Sequence, residues 1–295
     1  MWGWRDPRGG TRESPVRIGE ELAFGVAPEA RRLCGGVSRA DTWTPCPYGA
    51  ELPPDARRDQ CQECAALDRS SSVAADTLND PRPYAVYLAY FGPGLHKVGI
   101  TAAERGTTRL LEQAAVCFTF LGEGPLMTAR RTEAVLGAAL RIPDRMPGPA
   151  KRAARLALPP GDARASELRA LHDDVTALQE RLPESLRPRP FHAVDHAVLF
   201  GLDPAPPRPA AEVTALLPGS TLTGTIRVIA GHDVYLEHLE TPDAHLLLDT
   251  RLTAGWPLSR TDSASTADRA DRPGTGAHPP TTPVPRPAAD PQPLF

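Results

Sequence analysis

The chain lacks a long apolar run and lacks a large excess of charge of either sign. No stretch of its 295 residues approaches the roughly 20 consecutive apolar residues that cross a bilayer. The first thirty residues carry scattered charges where a signal peptide would have an apolar segment, so we expect a cytoplasmic protein without a membrane partner. The net charge of −3 excludes a wholly basic nucleic-acid-binding protein, and such binding would need a local basic patch.

Lysine is scarce as well. Only Lys97 and Lys151 are lysines among the 33 basic residues, whereas arginine, alanine and proline are abundant. The sequence has no internal repeat, but 41% hydrophobic residues in a chain of this length are enough to bury a sizeable core. These features predict a folded protein with two domains, or with one core and appendages.

The distribution of apolar, glycine and proline residues predicts an α+β protein with a cysteine-rich module, a central domain and a β-rich end. The predicted segments are an irregular N-terminal segment 1–30, a zinc-binding module 31–75, a β-β-α-β-α domain 80–150, a helical connection 151–187, a β-rich C-terminal unit 190–258 and a disordered tail 259–295. The tail is predicted to be disordered because its Ser, Thr, Ala, Asp and Pro residues offer almost nothing to bury.

A β-hairpin is predicted over residues 84–101, where aromatic and β-branched residues flank a Gly-Pro-Gly turn. A three-residue loop that sets Phe91 opposite Leu95 would fix the register of the two strands. One side of the ribbon is then apolar and suited to a core, with Val86 facing Ile100.

The other side of this hairpin is a candidate site. The same register sets Tyr87 opposite Gly99, which leaves room over the tyrosine ring, and it places Lys97 on the diagonal, roughly 7–8 Å away at the backbone. A long side chain can bridge that distance, so the hairpin aims a phenol and an ammonium group at one place.

The remaining elements follow from the periodicity of the apolar residues. The expected elements are a helix over 107–117, a strand over 118–121, a turn over 122–125, a helix ending at Leu140, a helix with an apolar stripe between Leu168 and Leu182, and strands over 191–200, 221–229, 233–239 and 245–252. Prolines at 143, 147 and 149 are expected to interrupt the chain between the second and third helices.

Four of the five cysteines form a cluster in the loop-rich module. Cys34, Cys46, Cys61 and Cys64 follow the pattern C-x11-C-x14-C-x2-C, and the last pair has the spacing at which one turn offers two thiolates to one metal ion. Structural zinc is the favoured interpretation, and two disulfides or unrelated buried thiols are the alternatives. The remaining cysteine, Cys117, is expected in the core.

Two charged residues stand out on the helices after the hairpin. Arg109 lies near the start of the first helix, where a guanidinium group could bind a phosphate in a fork or simply be solvated. Glu133 interrupts the apolar stripe of the second helix, and a buried carboxylate needs a cation, a metal ion or a place in the wall of a pocket. A salt bridge to Arg109 or Arg130 would meet this need, and so would a role as a metal ligand or catalytic acid.

The hairpin with these two residues resembles the GIY-YIG nuclease superfamily. The likeness rests on AVY at 85–87, KVGIT at 97–101, Arg109 and Glu133, and covers less than a quarter of the chain. The arrangement of the whole chain, with its cysteine module and its C-terminal GHDVYLE and LLLDTRLTAGW segments, resembles an uncharacterised bacterial family, numbered 2797 among the domains of unknown function.

The resemblance to GIY-YIG nucleases implies a site for phosphodiester cleavage. It implies that Tyr87, Lys97, Arg109 and Glu133 surround the scissile phosphate, with a divalent Mg²⁺ or Mn²⁺ on Glu133 and with Tyr87 orienting or deprotonating water. Lys97 replaces the second tyrosine of the motif. Gln113 stands where a histidine often follows the arginine, and the late asparagine has no counterpart because the one asparagine of the chain is Asn79.

Three functions follow from these observations. The first is an action on DNA or RNA, with metal-dependent cleavage by a GIY-YIG-type endonuclease as its specific form. The second is a zinc-stabilised module that binds nucleic acid or regulates without catalysis, so that Lys97 and Arg109 only hold the phosphate backbone. The third is a scaffold for a protein or small ligand, which suits the acidic net charge.

Overall fold

A computed structural model describes residues 2–6, 10–39, 42–68, 80–143, 145–237, 244–261 and 277–284. The described residues form two compact units, one drawn from 1–68, 208–227 and 233–295 and the other from 69–207 and 228–232. Within the described ranges, none of the helices combines the length and apolar character needed to cross a membrane.

The structure is a mixed α+β fold, as predicted. The strands are β1 (Trp2–Asp6), β2 (Gly10–Ser14), β3 (Glu21–Val26), β4 (Val37–Arg39), β5 (Thr42–Thr44), β6 (Tyr84–Gly92), β7 (Leu95–Ala102), β8 (Cys117–Gly124), β9 (Arg187–Pro188), β10 (Val194–Asp195), β11 (Pro209–Val213), β12 (Thr221–Ala230), β13 (Asp233–Glu237), β14 (His245–Asp249), β15 (Leu258–Arg260) and β16 (Thr281–Pro283). The α-helices are α1 (Gln62–Leu67), α2 (Thr108–Glu112), α3 (Leu126–Leu140), α4 (Gly148–Arg155), α5 (Gly161–Ala177) and α6 (Ala197–Phe200). Short 3-10 helices span Ala103–Arg105, Gln179–Arg181 and Thr250–Thr253.

The unit drawn from 69–207 and 228–232 is called the central unit below. It contains an antiparallel sheet with the strand order β10-β8-β6-β7, and β9 also pairs with β8. Its first five elements, β6, β7, α2, β8 and α3, follow the expected β-β-α-β-α order. Strand β6 lies between two partners, and helices pack against it, so every one of its nine residues is buried. Aromatic and β-branched side chains suit such a strand because they fill both of its faces.

The hairpin of β6 and β7 has the expected register over most of its length. Val86 pairs with Ile100, and Tyr87 pairs with Gly99. The turn differs, because Gly92 and not Phe91 pairs with Leu95 and the register shifts between Tyr90 and Gly92. The bulge absorbs one residue, so the predicted pairing holds everywhere except beside the turn.

Helix α2 is much shorter than the predicted helix over 107–117. It ends after one turn because Ala114 adopts a left-handed conformation with φ of 59°, and the Ala115 N–H then donates to the Leu110 carbonyl at 2.9 Å. This geometry is a common helix end that normally uses glycine at the left-handed position. An alanine there gives no sequence signal for the end of the helix.

Two further segments of this unit differ from the predictions. Helix α4 begins beside Pro147 and Pro149, which were expected to interrupt the chain, because proline is tolerated in the first turn of a helix. The strand expected over 191–200 is limited to β10, and α6 follows it. The carboxylate of Asp195 accepts a hydrogen bond from the Ala197 N–H at 2.8 Å and so stabilises the start of α6.

The other unit is built on a seven-stranded sheet with the order β15-β3-β12-β13-β14-β11-β16. The strands expected over 221–229, 233–239 and 245–252 correspond to β12, β13 and β14, although residues 238–240 lie outside the described residues. The N-terminal segment, predicted to be irregular, contributes β3 to this sheet, and β1 and β2 pair with each other.

The C-terminal tail also differs from the prediction where the structure describes it. Strand β15 pairs with β3, and β16 pairs with β11, so both join the sheet at its edges. The three residues of β16 are exposed, because an edge strand can be held by backbone hydrogen bonds without burying side chains. Residues 262–276 and 285–295 of the predicted disordered tail lie outside the described residues.

One buried arginine joins the cysteine-rich segment to the C-terminal part of this unit. The side chain of Arg32 is 1% exposed, and its guanidinium group donates hydrogen bonds to five main-chain carbonyl groups. The acceptors are Pro53, Pro54, Ala56, Arg251 and Ala254, at 2.7–3.2 Å. Burial lowers the pKa of Arg32 to about 10, which leaves the side chain charged at neutral pH.

We predict that Arg32→Ala destabilises this unit by about 3 kcal/mol, because buried carbonyl groups would lose their donors. Arg32→Lys should recover little of this, since one ammonium group cannot reach the same set of acceptors. The matched control is Arg31→Ala, whose side chain is 74% exposed and makes a surface ion pair with Glu51. That change should alter stability by about 0.5 kcal/mol or less.

The measurement is the free energy of unfolding from urea titration, followed by tryptophan fluorescence, because all four tryptophans belong to this unit and Trp256 is 2% exposed. Equal unfolding midpoints for the Arg31 and Arg32 variants would show that the buried guanidinium group has no structural role.

Candidate functional site

The four predicted cysteines come together. The Sγ atoms of Cys34, Cys46, Cys61 and Cys64 all lie within 4.8 Å of one another, and all four residues are free thiols. A tetrahedral ion with metal–sulfur bonds of about 2.3 Å would separate its sulfur ligands by about 3.8 Å. The Sγ atoms of Cys46 and Cys61 are 4.0 Å apart, close to that spacing. The cluster can therefore hold a metal ion, and disulfides are absent from it.

Local structure brings the four sulfur atoms together. The hairpin of β4 and β5 lies between the first two cysteines, and α1 begins directly after Cys61 and carries Cys64. The Sγ atom of Cys34 accepts hydrogen bonds from the N–H groups of Gly36 at 3.4 Å and Cys61 at 3.2 Å. Such N–H donors stabilise a negatively charged sulfur. The segment has a small apolar cluster whose buried members are Cys34, Leu52 and Cys64.

The charge states of these thiols depend strongly on their neighbours. Burial acts to raise the pKa of Cys46, but hydrogen bonds from the backbone of Ala50 and Tyr48 outweigh it and bring the pKa down to about 7. Burial raises the pKa of Cys64, and the adjacent cysteines add to that rise. Four adjacent thiols can all lose their protons only if a cation neutralises them, as a metal ion would.

The second candidate site lies in the central unit, around Tyr87. Its side chain is 1% exposed and packs in an apolar cluster with Ala89, Phe91, Leu110 and Phe118, among others. The ring lies directly over Gly99, because a Cβ atom at that position would overlap the phenol. The face of the hairpin that was expected to stay open is therefore also part of the core.

A chain of hydrogen bonds connects Tyr87 to Lys97. The Nε2 group of Gln113 donates to the Tyr87 hydroxyl oxygen at 2.9 Å, and the Nζ group of Lys97 donates to Oε1 of Gln113 at 3.0 Å. Nε2 of Gln113 also donates to the main-chain carbonyl of Arg109 at 3.2 Å. The phenol and the ammonium group are thus joined through one amide.

The phenol of Tyr87 is held in its neutral form. Burial raises the pKa of Tyr87, whereas the hydrogen bond from Gln113 and the charge of Arg109 act in the opposite direction, and Glu133 adds to the rise. The net shift is upward from an ordinary value near 10, so the phenolate is not populated at neutral pH. The phenol can accept and donate hydrogen bonds but is a poor general base.

Arg109 and Glu133 both lie near enough to influence the charge of this phenol. The side chain of Arg109 is 40% exposed, and its guanidinium group forms an ion pair with Glu112 at 3.5 Å. Glu112 also accepts a hydrogen bond from Arg105 at 2.6 Å. Glu133 was expected in the middle of the buried stripe of α3, but it is half-buried, and its neighbour Thr132 is buried instead.

Two residues of this site were not identified from the sequence as part of it. Gln113, noted only as a departure from the nuclease motif, connects Tyr87, Lys97 and Arg109. Lys151 on α4 donates to the main-chain carbonyl of Gln113 at 2.9 Å and lies 4.0 Å above the ring of Phe91. The scarcity of lysine was the available signal for Lys151, and nothing in the sequence pattern distinguishes Gln113.

The segment of sequence that contains this site differs in the sign of its net charge from the whole chain. Residues 80–155 contain 11 Lys and Arg residues and 6 Asp and Glu residues, which gives this segment a net charge of +5 against −3 for the chain. The site therefore lies in the basic part of an acidic protein.

The family model described as "Protein of unknown function (DUF2797)" matches residues 56–258, and this range includes the whole Tyr87 site and two of the four clustered cysteines. No curated protein and no solved structure matches the chain.

We predict that the purified protein contains one metal ion per chain and that Cys64→Ala removes it. The loss follows because three thiolates leave the tetrahedral ion without its fourth sulfur ligand. Elemental analysis gives the stoichiometry, and Cys117→Ala is the matched control because Cys117 is a buried thiol outside the cluster. A metal-free protein, or equal metal content in the two variants, would contradict the prediction.

Proposed function

We propose that this chain, which belongs to the DUF2797 family of proteins of unknown function, acts on nucleic acid by binding its phosphate backbone at the Tyr87 site. The observation that carries the proposal is the hydrogen-bonded chain from the Tyr87 phenol through Gln113 to Lys97, with the half-exposed guanidinium group of Arg109 beside it. Phosphate oxygens are the ligands that such donors favour.

The charge of residues 80–155 supports the same function. Non-specific binding to nucleic acid is mostly electrostatic and needs a local concentration of Lys and Arg, which the net charge of +5 over residues 80–155 supplies. An acidic remainder of the chain does not oppose it, because charges further apart than about 8–10 Å are largely screened at physiological salt. Resemblance of the hairpin, Arg109 and Glu133 to the GIY-YIG motif points to the same ligand.

We further propose that the metal ion of the four-cysteine cluster is zinc with a structural role. A set of four thiolates in tetrahedral geometry is typical of zinc, and it leaves no open position for a substrate. The segment has a very small apolar cluster, so the ion would replace a core and contribute on the order of 10 kcal/mol to its folding. The elemental analysis described above also identifies the metal.

Metal-dependent cleavage of the bound phosphodiester is a second candidate function. It is favoured by the electrostatic influence of Glu133 on the Tyr87 phenol, because Glu133 supplies a carboxylate that could hold Mg²⁺ or Mn²⁺. In this reaction the ion would neutralise phosphate charge, and Arg109 would stabilise the transition state. Tyr87 is buried, so it would contribute by holding Gln113, which in turn holds Lys97.

We predict that Arg109→Ala weakens binding of a labelled oligonucleotide about tenfold and lowers the slope of log K against log salt by about one, because one phosphate contact is lost. Fluorescence anisotropy with single- and double-stranded DNA and RNA at several salt concentrations measures both effects. The matched control is Arg181→Ala, which removes an exposed arginine of the same unit from outside the site.

Wild-type protein that binds no oligonucleotide at low salt would contradict the proposal and favour a scaffold for a protein or small ligand. Equal losses for the Arg109 and Arg181 variants would place the binding surface elsewhere.

Cleavage, if it occurs, should require Mg²⁺ or Mn²⁺ and fall at least about 100-fold in Glu133→Gln, because the amide cannot replace the carboxylate as a ligand. Gel analysis of an end-labelled oligonucleotide detects the products, and Glu180→Gln, an exposed glutamate of the same unit, is the control. Persistent cutting by the Glu133 variant would identify a contaminating nuclease or a different site. Binding without any cutting would leave the non-catalytic module as the function.

A further inference from the structure

Both lysines of the chain donate a hydrogen bond to the same residue. Lys97 donates to the side-chain oxygen of Gln113 at 3.0 Å, and Lys151 donates to its main-chain oxygen at 2.9 Å. The other 31 of the 33 basic residues are arginines, so lysine is rare everywhere else in the sequence. The two lysines come from different elements, β7 and α4, and 54 positions separate them.

The orientation of Gln113 accounts for this arrangement. Its Nε2 group is occupied by the Tyr87 hydroxyl and the Arg109 carbonyl, so its Oε1 atom is directed to Lys97. Its main-chain carbonyl lies at the end of α2, where the partial negative charge of the helix end attracts a cation such as Lys151. The ammonium group of Lys151 also lies 4.0 Å from the centre of the Phe91 ring, which is a cation–π contact.

Lysine differs from arginine in a way that suits this position. An ammonium group is a compact charge with three donors, and it can bind Gln113 and an oxyanion at the same time. Two ammonium groups held on one residue concentrate positive charge, which attracts a negatively charged ligand. Phosphate groups of a nucleic-acid strand provide such charge at successive positions along the backbone.

We propose that Lys97 and Lys151 form a two-lysine contact with the phosphate backbone of one nucleic-acid strand, and that Gln113 is the positioning residue for both. The proposal rests on the proposed function and deepens it, because it adds Lys151 and Gln113 to the binding surface. Gln113 would not contact the phosphate itself. Its hydrogen bonds with Lys97, Lys151 and Tyr87 hold the two ammonium groups in position.

The first test compares Lys151→Ala and Lys151→Arg in the anisotropy assay. Lys151→Ala should weaken oligonucleotide binding about tenfold and lower the salt slope by about one, whereas Lys151→Arg should restore the slope because the charge returns. The control is again Arg181→Ala. A wild-type slope for Lys151→Ala, or a lowered slope for Lys151→Arg, would overturn the proposal.

The second test uses the unaltered protein and does not depend on the folding of a variant. Reductive methylation followed by mass spectrometry measures modification of the two lysines, with the N-terminal amine as internal reference. A saturating oligonucleotide should reduce modification of both lysines at least about fivefold if each contacts a phosphate. Unchanged modification of either lysine while the oligonucleotide is bound would overturn the proposal.

The two proposals fail in different ways. If the oligonucleotide binds and Arg109→Ala weakens it but Lys151→Ala does not, the two-lysine contact is wrong and the proposed function stands. If the wild-type protein binds no oligonucleotide, the proposed function itself is wrong.

Discussion

Burial of β6 on both faces is the constraint on which the central unit and its site depend. All nine residues of this strand are buried, so a hydrogen bond to the hydroxyl group of Tyr87 has to come from another protein group. The amide of Gln113 is that partner, and a buried hydroxyl left without one would cost about 1–3 kcal/mol. Because the same amide holds Lys97, the packing of the core also fixes the position of a cation near the surface.

The other unit uses polar interactions where apolar ones are few. Its cysteine-rich segment places four thiols in one cluster with a single buried leucine beside them, and Arg32 connects the segment to the C-terminal part of the unit through five carbonyl groups. A guanidinium group can serve five acceptors because its donors point outward in one plane. Four thiols that can hold a metal ion, and one buried arginine, thus connect a segment that has little apolar core of its own.

The sequence predicted the features whose signals are local. The short loop of the hairpin predicted the register away from the turn, and cysteine spacing predicted the cluster. The end of α2 was missed because Ala114 occupies a left-handed position that usually signals itself as glycine. Strands β3, β15 and β16 were missed because they pair with strands far away in sequence, and the exposed β16 has no apolar pattern. The role of Gln113 depends on contacts that only the folded chain brings together.

The neutral phenol of Tyr87 bears on how binding and cleavage would be related. Since the phenol cannot serve as a base at neutral pH, an attacking hydroxide would have to come from water bound to a divalent ion. Glu133 is the carboxylate that influences this phenol. The positive charge of Arg109 disfavours binding of a metal ion at Glu133. Mg²⁺ is commonly held by one or two carboxylates together with substrate phosphates. Under the proposed function, a metal ion would therefore bind well here only after nucleic acid, and phosphate binding by the lysines and Arg109 would precede cleavage.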